Sequence, residues 1–189
     1  TSAIDVEAAP RPEVRATRVS GAIVVDGVLD EASWAAAPVI DRFTQSRPDR
    51  GMPLPEATEV RILYDDEKLS AGVEMWDRSP DRLTIPSLEQ DFESGNSDIF
   101  GITLDTFLDR RNAFMFLVNP MGAVKEAQDF DDSRYENAAW EGIFDVKTRI
   151  HDRGWTIEWA IPFTTVRFDP GLDVQDWGMQ LMRRIRRNN

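Results

Sequence analysis

The sequence contains no cysteine, a single histidine and two tyrosines, and no apolar run approaches the roughly 18–20 residues that a membrane-spanning helix needs. Each absence narrows the chemistry. Without thiols there are no disulfides, thiolate metal sites or cysteine nucleophiles. His151 is the sole imidazole and lies in the polar turn His151-Asp152-Arg153-Gly154, so a serine nucleophile finds no base set up beside it in the sequence. A glycine-rich phosphate cradle and a nucleophile elbow are also missing, and no catalytic residue is assigned. Basic residues are the minority: 22 Lys and Arg against 34 Asp and Glu give a net charge of −12. That balance argues against nucleic acid and anionic lipid as partners, and nothing in the pattern inserts this domain directly into a membrane.

What is present is strand patterning in a chain of 189 residues, 41% hydrophobic, enough for one substantial core. The centre lies at residues 98–122. Phe100, Ile102 and Leu104 alternate with Gly101, Thr103 and Asp105, as a strand against a core does. The next run is apolar on both faces, Ala113, Met115 and Leu117 against Phe114, Phe116 and Val118, which predicts a central strand covered on both sides. Short strands are expected at 14–20 and 22–25 and a hairpin at 59–64 and 69–76. Further strands are expected at 123–128, 140–150, 155–161 and 177–185, with Trp155, Ile157, Trp159 and Ile161 facing a core. One helix is expected at 31–37, capped by Asp30 and ended by Pro38. Many strands with polar turns and no crossover helices mean an all-β fold, an antiparallel β-sandwich of immunoglobulin or jelly-roll type with one short helix near the N-terminus.

Candidate functional residues sit on the loops. Residues 81–97 form a long polar stretch, and 129–139 form an acidic loop with Asp129, Asp131, Asp132 and Glu136. Hard oxygen ligands on such loops suit calcium, and Asp77, Asp91 and Asp98 border the first. Of six tryptophans, Trp34, Trp155, Trp159 and Trp177 fall on core positions, which leaves Trp76 and Trp140 at strand ends where a ring can reach a ligand. The turn 105–112 carries Arg110, Arg111 and Asn112, either a solvated hairpin or a recognition rim for hydroxyls and carboxylates.

These residues carry a family likeness. The segment from Val25-Asp26-Gly27 to Ser33-Trp34, and Thr58-Glu59-Val60-Arg61-Ile62-Leu63-Tyr64-Asp65-Asp66, resemble the opening of family 9 carbohydrate-binding modules. Asp109-Arg110-Arg111-Asn112-Ala113, Val118-Asn119-Pro120-Met121-Gly122, Gly154-Trp155-Thr156-Ile157-Glu158-Trp159-Ala160-Ile161-Pro162-Phe163 and Arg183-Arg184-Ile185-Arg186-Arg187 are similar to one branch of it. In that branch the domain stands at the amino end of bacterial envelope proteins, ahead of an outer-membrane β-barrel. The likeness covers roughly 19–189 and implies a non-catalytic sandwich that binds a carbohydrate or other small polar ligand, stabilised by calcium. It also implies a periplasmic or outer-membrane-associated place. Asp77 and Asp98 match acidic positions beside the family's binding face, whereas Ser94-Gly95-Asn96 stands where the family carries a clamp tryptophan. The alternative is therefore an interaction domain that docks on its own C-terminal barrel without binding sugar. Residues 1–18 read as a linker, 19–189 as the sandwich, and the basic end at 183–189 as a cut through a longer protein.

Overall fold

Alternation of apolar and polar residues does produce strands along most of the chain. The computed structural model describes residues 12–19, 21–131 and 134–188 of the 189. In chain order the elements are β1 Thr17–Arg18, α1 Ala32–Ala36, β2 Thr58–Tyr64, β3 Lys68–Trp76, β4 Ile99–Asp105, β5 Ala113–Val118, β6 Val124–Phe130, β7 Tyr135–Asn137, β8 Asp145–His151, β9 Gly154–Pro162 and β10 Gly178–Arg184. They make two five-stranded sheets, ordered β1-β2-β3-β9-β8 and β10-β4-β5-β6-β7. The packing resolves into two compact units, one of Thr1–Arg82, Val146–Ala160 and Arg187–Asn189, the other of Leu83–Asp145 and Ile161–Arg186.

In the first unit the hairpin β2–β3 forms as its pattern predicts, with Ile62 opposite Ala71 and Val60 opposite Val73. The helix differs in its cap. Glu31, not Asp30, precedes the first turn and makes no capping bond; its carboxylate instead accepts from the Val24 N–H at 2.9 Å and the Trp34 indole N–H at 3.0 Å. That bond explains why 22–25 is not a strand: its backbone is tied to the helix. The strand expected at 14–20 shortens to β1, with Ser20 outside the described residues. Trp34 is 2% exposed, packs with Ile23, Ala37 and Leu63, and lies over Gly72, where a Cβ would stand 2.9 Å from the indole ring.

β9 departs from a one-sided strand. Trp155, Ile157, Trp159 and Ile161 are buried as expected, but so are Thr156, Glu158 and Ala160 between them. Glu158, fully buried, accepts from the N–H groups of Asp26 at 2.9 Å and Gly27 at 2.8 Å and from the Trp34 indole at 3.1 Å. The Asp26-Gly27 turn, with Gly27 at φ +87, therefore closes over this face of the strand and is pinned to it by a carboxylate. His151 is likewise not a free turn residue: it ends β8, half-buried, with Nε2 3.0 Å from Glu74 Oε1.

In the second unit β5 is central, as its apolar composition predicts. Direct register pairs place Phe100, Ile102 and Leu104 of β4 beside Val118, Phe116 and Phe114 of β5, and all six are buried. Trp140 packs on this face, its ring centroid 5.2 Å from Phe114 and 5.8 Å from Phe116. That anchor keeps 140–144 out of β8, which begins at Asp145 rather than Trp140. The acidic stretch 129–139, expected as loop, instead holds the end of β6 and the short strand β7. Among the described residues, the opposite face of the sheet is covered at one end. There Phe92, from the long polar loop, packs with Ile99, Leu117 and Ala123, and Met115 and Met182 border the cluster.

Candidate functional site

Strand register turns the partly covered face into a grid. Met182, Gly101, Leu117 and Lys125 form one row across β10, β4, β5 and β6; Gln180, Thr103, Met115 and Ala127 form the next; the pairs Gly178–Asp105 and Ala113–Asp129 lie in the third. Over these rows lies a depression of about 180 Å³ lined by Gly101, Thr103, Met115, Leu117, Asp129, Gln180 and Met182. The small residue at its floor makes the depression. A Cβ at Gly101 would collide with Leu117 Cδ2 and stand 3.7 Å from Met182 Cε, so any side chain there pushes the groove's apolar wall outward. The central strand is thus not covered on both sides as predicted: Phe114, Phe116 and Val118 are buried, while Met115 and Ala113 are half-exposed at the groove.

The turn 105–112 stands at the end of the strands that carry this groove. Its conformation is built internally. Asp105 accepts from the N–H groups of Asp109 at 3.1 Å and Arg110 at 2.7 Å. Asp109 accepts from the N–H groups of Arg111 at 2.7 Å and Asn112 at 2.9 Å and from the Asn112 side chain at 2.6 Å. Desolvation raises the Asp109 carboxyl, but those donors and the Arg111 charge outweigh it and hold the group below its ordinary value. Arg111 reaches Asp131 at 2.6 Å. Arg110, at φ +59, is exposed at the tip. Asn112 is thus spent on the turn itself.

Asp98, at the other end of β4, is 2% exposed. Its carboxylate accepts the Thr84 N–H and, at 3.1 Å, the Arg186 N–H, clipping the 83–97 loop and the chain's last segment to the strand. Asp91, exposed at φ +56, donates its N–H to the Val124 carbonyl at 2.9 Å. In the first unit, Asp77 receives both arms of Arg187, at 2.7 and 2.8 Å, and the Ser79 N–H at 2.7 Å. Trp76 is half-buried at the end of β3. A guanidinium already neutralises Asp77 and N–H groups point at both oxygens of Asp98, so calcium does not fit these two carboxylates as they stand. Among the described residues, no three carboxylate, imidazole or thiolate side chains come together as a metal-binding group.

Of the residues predicted to bind ligand, the structure places Asp98, Arg110, Arg111 and Asn112 around the ends of the groove-bearing strands and Trp140 on the opposite face of that sheet. Trp76 and Asp77 belong to the first unit. Sequence reading missed the floor and walls, although the alternation of Gly101 and Thr103 with buried residues marked their face. One further carboxylate went unnoticed. Glu126, 3% exposed and beside Phe116 in register, accepts from Gln90 Nε2 at 3.1 Å through one oxygen, while the other has no hydrogen-bond partner. Burial first, then the charges of Asp91 and Glu141, push its carboxyl above its ordinary value, against the Gln90 bond.

The fold is an all-β sandwich. It is similar to a family 9 carbohydrate-binding module from Caldicellulosiruptor kristjanssonii. The complex of that module with cellotriose is 18% identical over 89% of this chain and 76% of that chain, with a TM-score of 0.55. The complex with glucose gives 18%, 89%, 78% and 0.56. A candidate carbohydrate-binding protein from Bacteroides uniformis is 8% identical over 89% of this chain and 81% of that chain, with a TM-score of 0.69. No family model and no curated protein matches the sequence. The expected fold class, an all-β sandwich with one short helix, is the fold observed.

Proposed function

We propose that the chain is a non-catalytic carbohydrate-binding module-like domain whose ligand lies in the groove over Gly101. The observation that carries this reading is the groove itself, a monosaccharide-sized depression on a sheet of family-9-like fold, lined by a hydroxyl, an amide and a carboxylate from Thr103, Gln180 and Asp129. At about 180 Å³ it is smaller than the roughly 300–1,000 Å³ of pockets that take drug-sized ligands, and suits one sugar ring. Asp129 is the one carboxylate in the lining, and Asp105 at the mouth is engaged by two backbone amides. Glycoside hydrolysis calls for a facing pair, so binding fits this arrangement better than bond cleavage.

Isothermal calorimetry on the intact chain, guided by a glycan array, tests the reading. Binding of a glycan is expected, with at least a tenfold loss in Gln180→Ala or Asp129→Ala and no change in the glycan recovered afterwards. An empty array, or a ligand whose affinity ignores both substitutions, refutes it.

A further inference from the structure

The groove's chemistry is divided, and the division points to a ligand class. The polar groups of its lining, Thr103, Gln180 and Asp129, come from the second and third rows, whereas the lining residues of the first row and the centre are Met182, Leu117 and Met115 over Gly101, with Lys125 of the first row outside the lining and 3.4 Å from Glu136. None of the lining residues carries an aromatic ring, so there is no flat platform for the C–H face of an unmodified pyranose. What replaces it is a small, deformable apolar seat of two thioethers and a leucine. Leu117 is 4% exposed and held against Phe92, Ile99 and Ala123, which closes the apolar end. Met115 and Met182, packed against that cluster, remain half-exposed at the groove. A hydroxymethyl group placed at this end meets no polar partner among the lining residues and loses its hydration. A methyl group there loses nothing.

We propose that the groove selects a pyranose bearing a methyl group, which sits between Met115, Leu117 and Met182 while ring hydroxyls meet Thr103, Gln180 and Asp129. This rests on the carbohydrate reading and goes beyond it by naming the class. A 6-deoxyhexose and an N-acetylhexosamine both present such a methyl, and matched pairs separate them: D-fucose against D-galactose, L-rhamnose against L-mannose, and N-acetylglucosamine against N-formylglucosamine.

Burying one methyl contributes about a fourfold gain in affinity. Calorimetry on the intact chain should show the methyl-bearing sugar ahead by about that factor in at least one pair. Met115→Gln and Met182→Gln, both at half-exposed positions, should bring that ratio toward one. Near-UV circular dichroism confirms that each variant is folded. If sugars bind but no pair shows the preference, or the preference survives both substitutions, the class is wrong and the carbohydrate reading stands. If no sugar binds at all, both fall.

Discussion

Replacing Glu158 should expose how the first unit is held together. Its carboxylate is fully buried and serves three donors, the Asp26 and Gly27 amides and the Trp34 indole. In Glu158→Ala the two amides lose their acceptor inside the protein, at about 1–3 kcal/mol each, while the indole keeps Glu31. Adding the space vacated by the side chain, the expected loss is about 3–5 kcal/mol, or about 6–20 °C in Tm for a chain of this size. Glu158→Gln keeps the volume, yet its single oxygen can face the amides or the indole but not both, so about 1–2 kcal/mol is lost at neutral pH. The pH dependence is a second readout. Burial, with the charge of Glu31 adding to it, raises the Glu158 carboxyl above its ordinary value against the pull of its three donors. The folded state then binds the proton more tightly than the unfolded state, so this contribution is complete below the ordinary glutamate range and fades as pH rises through the folded value. Urea unfolding followed by tryptophan fluorescence from pH 4 to 9 measures both effects. A Glu158→Ala protein within about 0.5 kcal/mol of the wild type refutes the pinning argument. A Glu158→Gln protein with the wild-type pH slope refutes the linkage argument.

Arg187→Ala strands Asp77 as a buried, unneutralised carboxylate and should cost about 3–5 kcal/mol by urea unfolding, with Arg187→Lys recovering only part because one ammonium cannot replace two parallel bonds. Asp109→Ala removes the acceptor of three bonds from an exposed turn and should cost about 1 kcal/mol. Because the carboxyl is held below its ordinary value, the turn's contribution is present above the usual aspartate range and lost as pH falls through the folded value, which chemical shifts of the Asn112 amide can follow. Glu126→Gln should raise stability above neutral pH, where the wild type must hold a buried, partly unpartnered charge, and thermal melts at pH 5 and 8 compare the two. Gly101→Ala displaces Leu117 and should cost about 1–3 kcal/mol in the same melts.

Most strands were legible because their chemistry is local. Ile62 and Val60 alternate along β2 and a four-residue polar turn follows, so the hairpin with β3 needs no distant information. Glu158 was not legible as a buried group, since alternation makes it a solvent-facing residue and its donors, the Asp26 and Gly27 amides and the Trp34 indole, all lie more than 120 positions away. The same failure met 22–25, where the Val24 amide is taken by the Glu31 carboxylate, and β7, whose Tyr135, Glu136 and Asn137 are exposed and whose pairing with β6 adds the side-chain contacts Lys125–Glu136 at 3.4 Å and Asn137–Gln128 at 3.5 Å. Polar residues that look available in the sequence were mostly committed: Asp77 to Arg187, Asp98 to two backbone amides, Asn112 to Asp109. Loops advertised function, and the structure spends their polar groups on holding the loops.

The groove could not be found from loops because it is a property of a sheet face. Along β5 both faces are apolar, and periodicity alone reads this as burial twice over. Whether the second face is filled depends on what lies over it, and here the 83–97 loop lays Phe92 on only the first part of that face. Beyond Phe92 the rows continue through Gly101 to Thr103 and Met115, which are half-exposed among the described residues. An aromatic residue at position 101 would fill the depression from below, and a longer loop would close it from above. Glycine at 101 and a loop that stops at Leu117 are therefore two halves of one arrangement, and the apolar character that made the strand look like core is what gives the open part its preference for a ligand with an apolar group.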